Sequence, residues 1–158
     1  MKKTAGKLVG VISDTHGLVR PEALAALEGS EMILHAGDIG RTEVLEAVGA
    51  VAPVTAVRGN NDRGVWAETI PERELIEVGG IWIYVLHDVK ELDLVPSAAG
   101  IRVVVSGHSH KPSIEERAGV LYLNPGSAGP RRFKLPVTVA RLKIARGAVK
   151  AELIELAV

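Results

Sequence analysis

The sequence predicts an α/β fold in which two mixed sheets stack as a sandwich with helices outside. Three observations carry this expectation. The first half alternates short aliphatic runs with segments of helical spacing, the pattern of β-α-β units. The second half alternates aliphatic runs with Gly-bearing turn signals, the pattern of hairpins. Polar clusters follow several of these runs directly, where ligand sites gather in open α/β sheets. Aromatics are only 3% of a chain that is 47% apolar, so the core must be built from Val, Ile, Leu and Ala. The length suits one domain over residues 1–158, with no repeat, low-complexity segment or linker.

Leu8–Ser13 reads as a buried strand that ends in the polar turn Asp14-Thr15-His16-Gly17. Pro21 suits a first helical position, Leu24 and Leu27 follow with helical spacing, and Gly29 closes the helix. Met32–His35 is a second strand, ending in Ala36-Gly37-Asp38. Thr42 is placed to cap a helix carrying Val44, Leu45 and Val48, with Gly49 at its end. Val54–Val57 is a third strand, ending in Arg58-Gly59-Asn60-Asn61-Asp62. Glu74–Val78 and Ile81–Leu86 flank Gly79-Gly80 as a hairpin that ends in His87-Asp88. Glu91–Ala99 is a short helix at best, broken by Pro96. Val103-Val104-Val105 ends a further buried strand, followed by Ser106-Gly107-His108-Ser109-His110. Ser113–Glu116 with Val120–Leu123, and Val137–Ile144 with Ala148–Leu156, read as two more hairpins.

Charge and composition exclude several function classes. Lys+Arg and Asp+Glu are both 19, so the chain lacks the basic excess of a general nucleic-acid or membrane-surface binder. There are no cysteines, which excludes disulfides and thiolate metal sites and makes a cytoplasmic location the expectation. The apolar run Leu8–Ile12 is too short for a signal-peptide core, and no stretch is long enough to span a bilayer. The oligomeric state stays open between a monomer and a homo-oligomer.

The polar clusters together hold Asp14, His16, Asp38, Asn60, His87, His108 and His110. These are two carboxylates, four of the chain's five histidines and one amide. His108 and His110 are two residues apart. In an extended chain their side chains leave one face about 7 Å apart, which suits one imidazole on each of two ions about 3.5–4 Å apart. Mixed N/O donors without sulfur suit Mn²⁺, Fe, Zn²⁺, Ni²⁺ or Co²⁺ and disfavour Ca²⁺, Mg²⁺ and Cu(I); of the suited ions, Mn²⁺ is the expected one. His35 fits no ligand position and is assigned a role in the structure or in supporting the ligands. Arg58, Arg131, Arg132 and Lys134 are either phosphate contacts or a solvated basic surface. Trp66, Trp82, Tyr84 and Tyr122 are assigned to packing.

Asp14-Thr15-His16, Gly37-Asp38, Gly59-Asn60-Asn61-Asp62, His87 and Gly107-His108-Ser109-His110 resemble the motifs of the calcineurin-like metallophosphoesterases. They look closest to the small bacterial and archaeal phosphodiesterase branch, which carries a segment like Asn124-Pro125-Gly126-Ser127. The resemblance runs from Leu8 to Leu156 and implies a four-layer α-β-β-α sandwich, the metallophosphatase fold. It implies that Asp14, His16 and His110 hold one divalent ion and Asn60, His87 and His108 a second, with Asp38 bridging. Asn60, Asn61 and Asp62 are assigned the catalytic role, and Asn61 and Arg131 substrate contact. Two departures stand out. Many relatives have a His where this chain has Asn61, and His87 is followed here by Asp88 rather than Gly.

The activity this implies is hydrolysis of small phosphate esters, diesters foremost, by a hydroxide bridging the two ions. Metal binding lowers the pKa of water to about 7, so that nucleophile exists at neutral pH. The competing reading is an interaction scaffold on the same fold with weak or no catalysis. The complete ligand set favours the enzyme.

Overall fold

The computed structural model describes residues 6–158. The elements in order are β1 (Lys7–Ile12), α1 (Pro21–Ala26), β2 (Met32–His35), α2 (Thr42–Gly49), β3 (Val54–Ala56), α3 (Val65–Glu68), β4 (Arg73–Val78), β5 (Ile81–Leu86), β6 (Ile101–Val105), β7 (Ser113–Arg117), β8 (Val120–Asn124), β9 (Thr138–Ala145) and β10 (Ala148–Glu155). They form two five-stranded sheets, ordered β10-β9-β1-β2-β3 and β4-β5-β6-β8-β7. In the first, β1, β2 and β3 run parallel and β9 returns antiparallel beside β1. In the second, β5, β6 and β8 run parallel, flanked by the antiparallel edges β4 and β7. Both sheets are mixed, as the sequence predicts.

The period of two along each strand sorts side chains between layers. Val9 and Val11 of β1 face the other sheet and pack with Ile83, Val85, Val103 and Val105. Ile12 faces the opposite way, joining Ala23 and Leu27 of the α1 region and Val44 and Val48 of α2. The outer face of the second sheet lacks such helices. Tyr84, Leu86 and Val104 there are covered by Val89, Leu92 and Leu94, from a segment whose only regular piece is one 3₁₀ turn at Val89–Glu91. Pro96 and the Gly100 at positive φ bracket a chain that turns rather than coils.

Local details differ from the sequence expectations. Thr42 does not cap α2; it is the first helical residue, and Arg41 holds the cap position without a side-chain hydrogen bond. The four-residue α3 has too short an apolar period to be read from sequence. No helix is long and apolar enough to cross a membrane among the described residues.

Candidate metal centre

Each candidate ligand follows the C-terminal end of a strand. Asp14 and His16 follow β1, Asp38 follows β2, Asn60 follows β3, His87 follows β5, and His108 and His110 follow β6. Backbone bonds tie these loops together: Asp14 N–H donates to the Gly37 carbonyl and His16 N–H to the Asp38 carbonyl, both at 2.9 Å. Two glycines permit close approaches to the candidate carboxylates. A Cβ on Gly107 would meet Ser13 Oγ and the Asp14 carboxylate, and one on Gly59 would meet the Asp38 backbone and carboxylate.

Five candidate ligands have left-handed backbones: Asp14 (φ 55°), His16 (48°), Asp38 (57°), His108 (71°) and His110 (66°). Each such residue costs about 1–2 kcal/mol relative to the right-handed region. Only three other non-glycine residues share this conformation among those described, and two of them, Ala118 and Arg146, precede glycine in hairpin turns. Strain is thus concentrated where the polar side chains converge, a pattern typical of functional sites. It also changes the expected geometry of His108 and His110, which are not extended. They still part, because each ring meets a different partner: His16 and His110 have ring centroids 5.3 Å apart, and His87 and His108 5.1 Å.

The carboxylates sit between these imidazole pairs. Asp14 Oδ1 lies 3.4 Å from His110 Nε2 and 3.9 Å from Nε2 of both His16 and His87. Asp38 Oδ2 lies 3.4 Å from His87 Nε2 and 3.7 Å from His16 Nε2. Asp14 Oδ2 accepts from Ser13 Oγ at 2.6 Å and from the His108 N–H at 3.0 Å, whereas its buried Oδ1 has no hydrogen-bond donor. A buried carboxylate oxygen without a donor, aimed at three imidazole nitrogens, fits a cation. His87 Nδ1 donates to the Ala36 carbonyl at 2.7 Å, which turns Nε2 toward the carboxylates as metal-ligating histidines require. His108 presents Nδ1 to His87 Nε2 at 3.3 Å, while its Nε2 faces Asp88 Oδ2 at 3.7 Å.

Without a cation the cluster compensates internally. Burial pushes the Asp14 carboxyl up, but His110, Ser13 and the field of His87 outweigh it and hold the group below its usual range. Burial opposes ionisation of Asp38 too, and His87 and Asn61 reverse that strongly. Burial lowers the basicity of His87, yet Asp38, Asp14 and the Ala36 carbonyl raise its pKa to about 9. A metal ion bound at His87 Nε2 must therefore displace a proton.

The family model described as the calcineurin-like phosphoesterase superfamily domain matches residues 8–147. The chain belongs to this superfamily. A protein described as a probable metallophosphoesterase, from Methanothermobacter thermautotrophicus, is 37% identical over 93% of this chain and 91% of its own. A Methanocaldococcus jannaschii protein named as a phosphodiesterase is 28% identical over 75% of this chain and 82% of its own. Among solved structures, one titled as a novel archaeal phosphodiesterase aligns at TM-score 0.76 and 23% identity, covering 93% of this chain and 99% of that one. Vps29 of Entamoeba histolytica, solved with Zn²⁺, aligns at TM-score 0.70 and 24% identity, over 94% and 98%. These structural likenesses show the metallophosphatase fold.

Other residues assigned from sequence fall less uniformly. Asn60 is exposed and lines a cleft of about 280 Å³ with His87 and His108. Asn61 binds Asp38 twice, by its N–H to Oδ1 and by Nδ2 to Oδ2, both at 2.9 Å. Asp62, a catalytic candidate from the sequence, is buried, and its oxygens accept from the N–H groups of Gly59, Ile39 and Gly40, so it pins the Asp38 and Asn60 loops together. Arg131, a substrate-contact candidate from the sequence, is exposed, and its guanidinium donates to backbone oxygens of Leu135 and Val158. The cations at the cleft are Arg58, which sequence singled out, and Arg73, which it missed. His35 is fully buried. Its Nδ1 accepts from Gly37 N–H at 3.1 Å, so Nε2 carries the proton toward Thr15 Oγ1 at 3.0 Å, and burial lowers its pKa to about 4. Asn124 bonds Gly107 O and Ser109 Oγ, and Ser127 bonds Asp14 O; the segment braces both ligand loops.

Proposed function

We propose that this chain is a two-metal phosphodiesterase acting on small diesters in the cytoplasm, as one domain over residues 1–158. The carrying observation is the convergence of Asp14 Oδ1, Asp38 Oδ2 and the Nε2 atoms of His16, His87 and His110, all but His87 on left-handed backbone. Asp14, His16 and His110 would hold one ion and Asn60, His87 and His108 the other. Asp38 Oδ2, lying between His16 and His87 of opposite sets, supports its place as the bridge. The oxygen and nitrogen donors are compatible with Mn²⁺, the ion proposed here, and equally with Ni²⁺, Zn²⁺, Fe or Co²⁺. Bound there, the ions would supply hydroxide near neutral pH and offset charge on the phosphoryl oxygens.

The chain's own residues set up the rest. Asn61 fixes the Asp38 carboxylate through two donors. Asp88, beside His108 Nε2, leaves Nδ1 directed at His87. Arg58 and Arg73 line the cleft opposite Glu72, Asp88 and Glu91, so the cleft adds no net positive charge. A monoanionic diester suits such surroundings better than a dianionic monoester, and the balanced charge gives no electrostatic footprint for nucleic acid. The M. jannaschii relative named as a phosphodiesterase supports the same reading. Vps29 shares the fold, which keeps an interaction scaffold as the second reading, but at 24% identity it speaks to the fold alone.

The experiment is hydrolysis of bis(p-nitrophenyl) phosphate by protein loaded in turn with Mn²⁺, Ni²⁺, Zn²⁺ and Mg²⁺. The expected outcome is turnover that depends on the metal and is lost in His87→Ala. Loaded protein that turns over neither this diester nor p-nitrophenyl phosphate would favour the scaffold.

A further inference from the structure

We propose that the cleft on the far side of His108, walled by Tyr122 and Arg117, binds an uncharged aromatic ring carried on one arm of the ester. This rests on the phosphoesterase reading above. His108 and Asp88 form a ridge shared by two clefts. One holds Arg58 and Arg73; the other, about 190 Å³, lies between the 88–90 turn and the β7–β8 hairpin. A phosphoryl group at the metal centre would therefore have room for an organic arm on each side of the ridge.

The chemistry of the second cleft selects its ligand. On β8, Leu121 and Leu123 face the other sheet, so Tyr122 faces outward and packs with Tyr84 and Val104. The Arg117 guanidinium carbon sits 4.3 Å above the centre of the Tyr122 ring. Glu115, 3.8 Å from Arg117 Nε, flanks it along β7. A planar guanidinium stacked on a ring offers a flat cationic surface to a further ring. The charges lining the cleft cancel, Lys90 and Arg117 against Asp88 and Glu115, so it does not select a second phosphate. Ser109 and Ser113 make it too polar for an acyl chain. Its volume is below the ~300–1,000 Å³ of pockets for drug-sized ligands, which limits the arm to one ring system. The sequence assigned Tyr122 to packing alone; the stacked Arg117 on an otherwise exposed edge strand is what adds the binding role.

The test compares two probes that a phosphoesterase cannot cleave, benzylphosphonate and ethylphosphonate, by calorimetry on the Mn²⁺-loaded full chain. Aromatic stacking predicts that benzylphosphonate binds about tenfold more tightly. Arg117→Ala, on an exposed strand that should still fold, and Tyr122→Leu should each bring the two affinities within about twofold, while Tyr122→Phe keeps the preference. Equal affinity in the wild type, including no binding of either probe, overturns the subsite. So does a preference that survives both Arg117→Ala and Tyr122→Leu. A ring preference in protein that hydrolyses no ester would support the subsite and remove the catalytic reading, so the two fail separately.

Discussion

Asn61 illustrates how one side chain sets reactivity. An amide cannot act as a general acid at neutral pH, whereas a His with pKa near ~6.5 can. General acid help is worth about 10²–10⁴-fold and matters most for poor leaving groups. The expected outcome is a steep dependence of kcat/KM on leaving-group pKa in the wild type and a shallower one in Asn61→His; equal slopes would show that the proton comes from elsewhere. His35 and His87 set the pH response of the metal-free fold. The folded pKa of His35 is depressed to about 4, so its neutral form stabilises the fold above ~6.5 and that stability is lost as pH falls toward 4. The folded pKa of His87 is raised to about 9, so its contribution is complete below ~6.5 and is lost as pH rises toward 9. Urea unfolding in chelator should therefore show a stability maximum near pH ~6.5, and His35→Gln should flatten the acidic limb. The candidate ligands could be picked out in sequence because Asp and His recur after aliphatic runs. The tasks of Asp62 and Arg131 could not, since they depend on which backbone groups from other loops lie beside them.

At the scale of elements, strand–loop junctions position the centre, and their tight packing makes them sensitive. Gly107→Ala would drive a methyl into Ser13 Oγ and to 2.5 Å from Asp14 Oδ2, both buried. The expected outcome is at least a tenfold loss of metal affinity by calorimetry, scaled on the 10–100-fold typical of lost supporting contacts, with far-ultraviolet dichroism preserved. Unchanged affinity would mean that the loop gives way without moving Asp14. The strands themselves were legible because period-two burial and turn glycines are local signals. The cover of the second sheet's outer face was not, because Val89, Leu92 and Leu94 come from an irregular segment instead of a helix. Arg73 was missed for a similar reason: only the antiparallel pairing of β4 with β5, which sets Arg73 opposite Leu86, carries it to the cleft.

For the whole molecule, two sheets hold their loops at a common edge, and the candidate ligands follow β1, β2, β3, β5 and β6 together. Binding at such a junction stabilises both sheets at once. Saturating metal at 100 times its Kd should add about 2.7 kcal/mol of unfolding free energy per site, read as a rise in Tm that chelator reverses. The central claim is that the cluster holds two ions with Asp38 between them. The direct measurement is metal content per chain, by elemental analysis after equilibration with Mn²⁺ and removal of unbound ion. The account predicts about two ions per chain in the wild type and one or fewer in Asp38→Ala, because that change removes a ligand from both ions and leaves their repulsion unrelieved. A wild type that saturates at one ion or none, or an Asp38→Ala protein that still holds two, would contradict it.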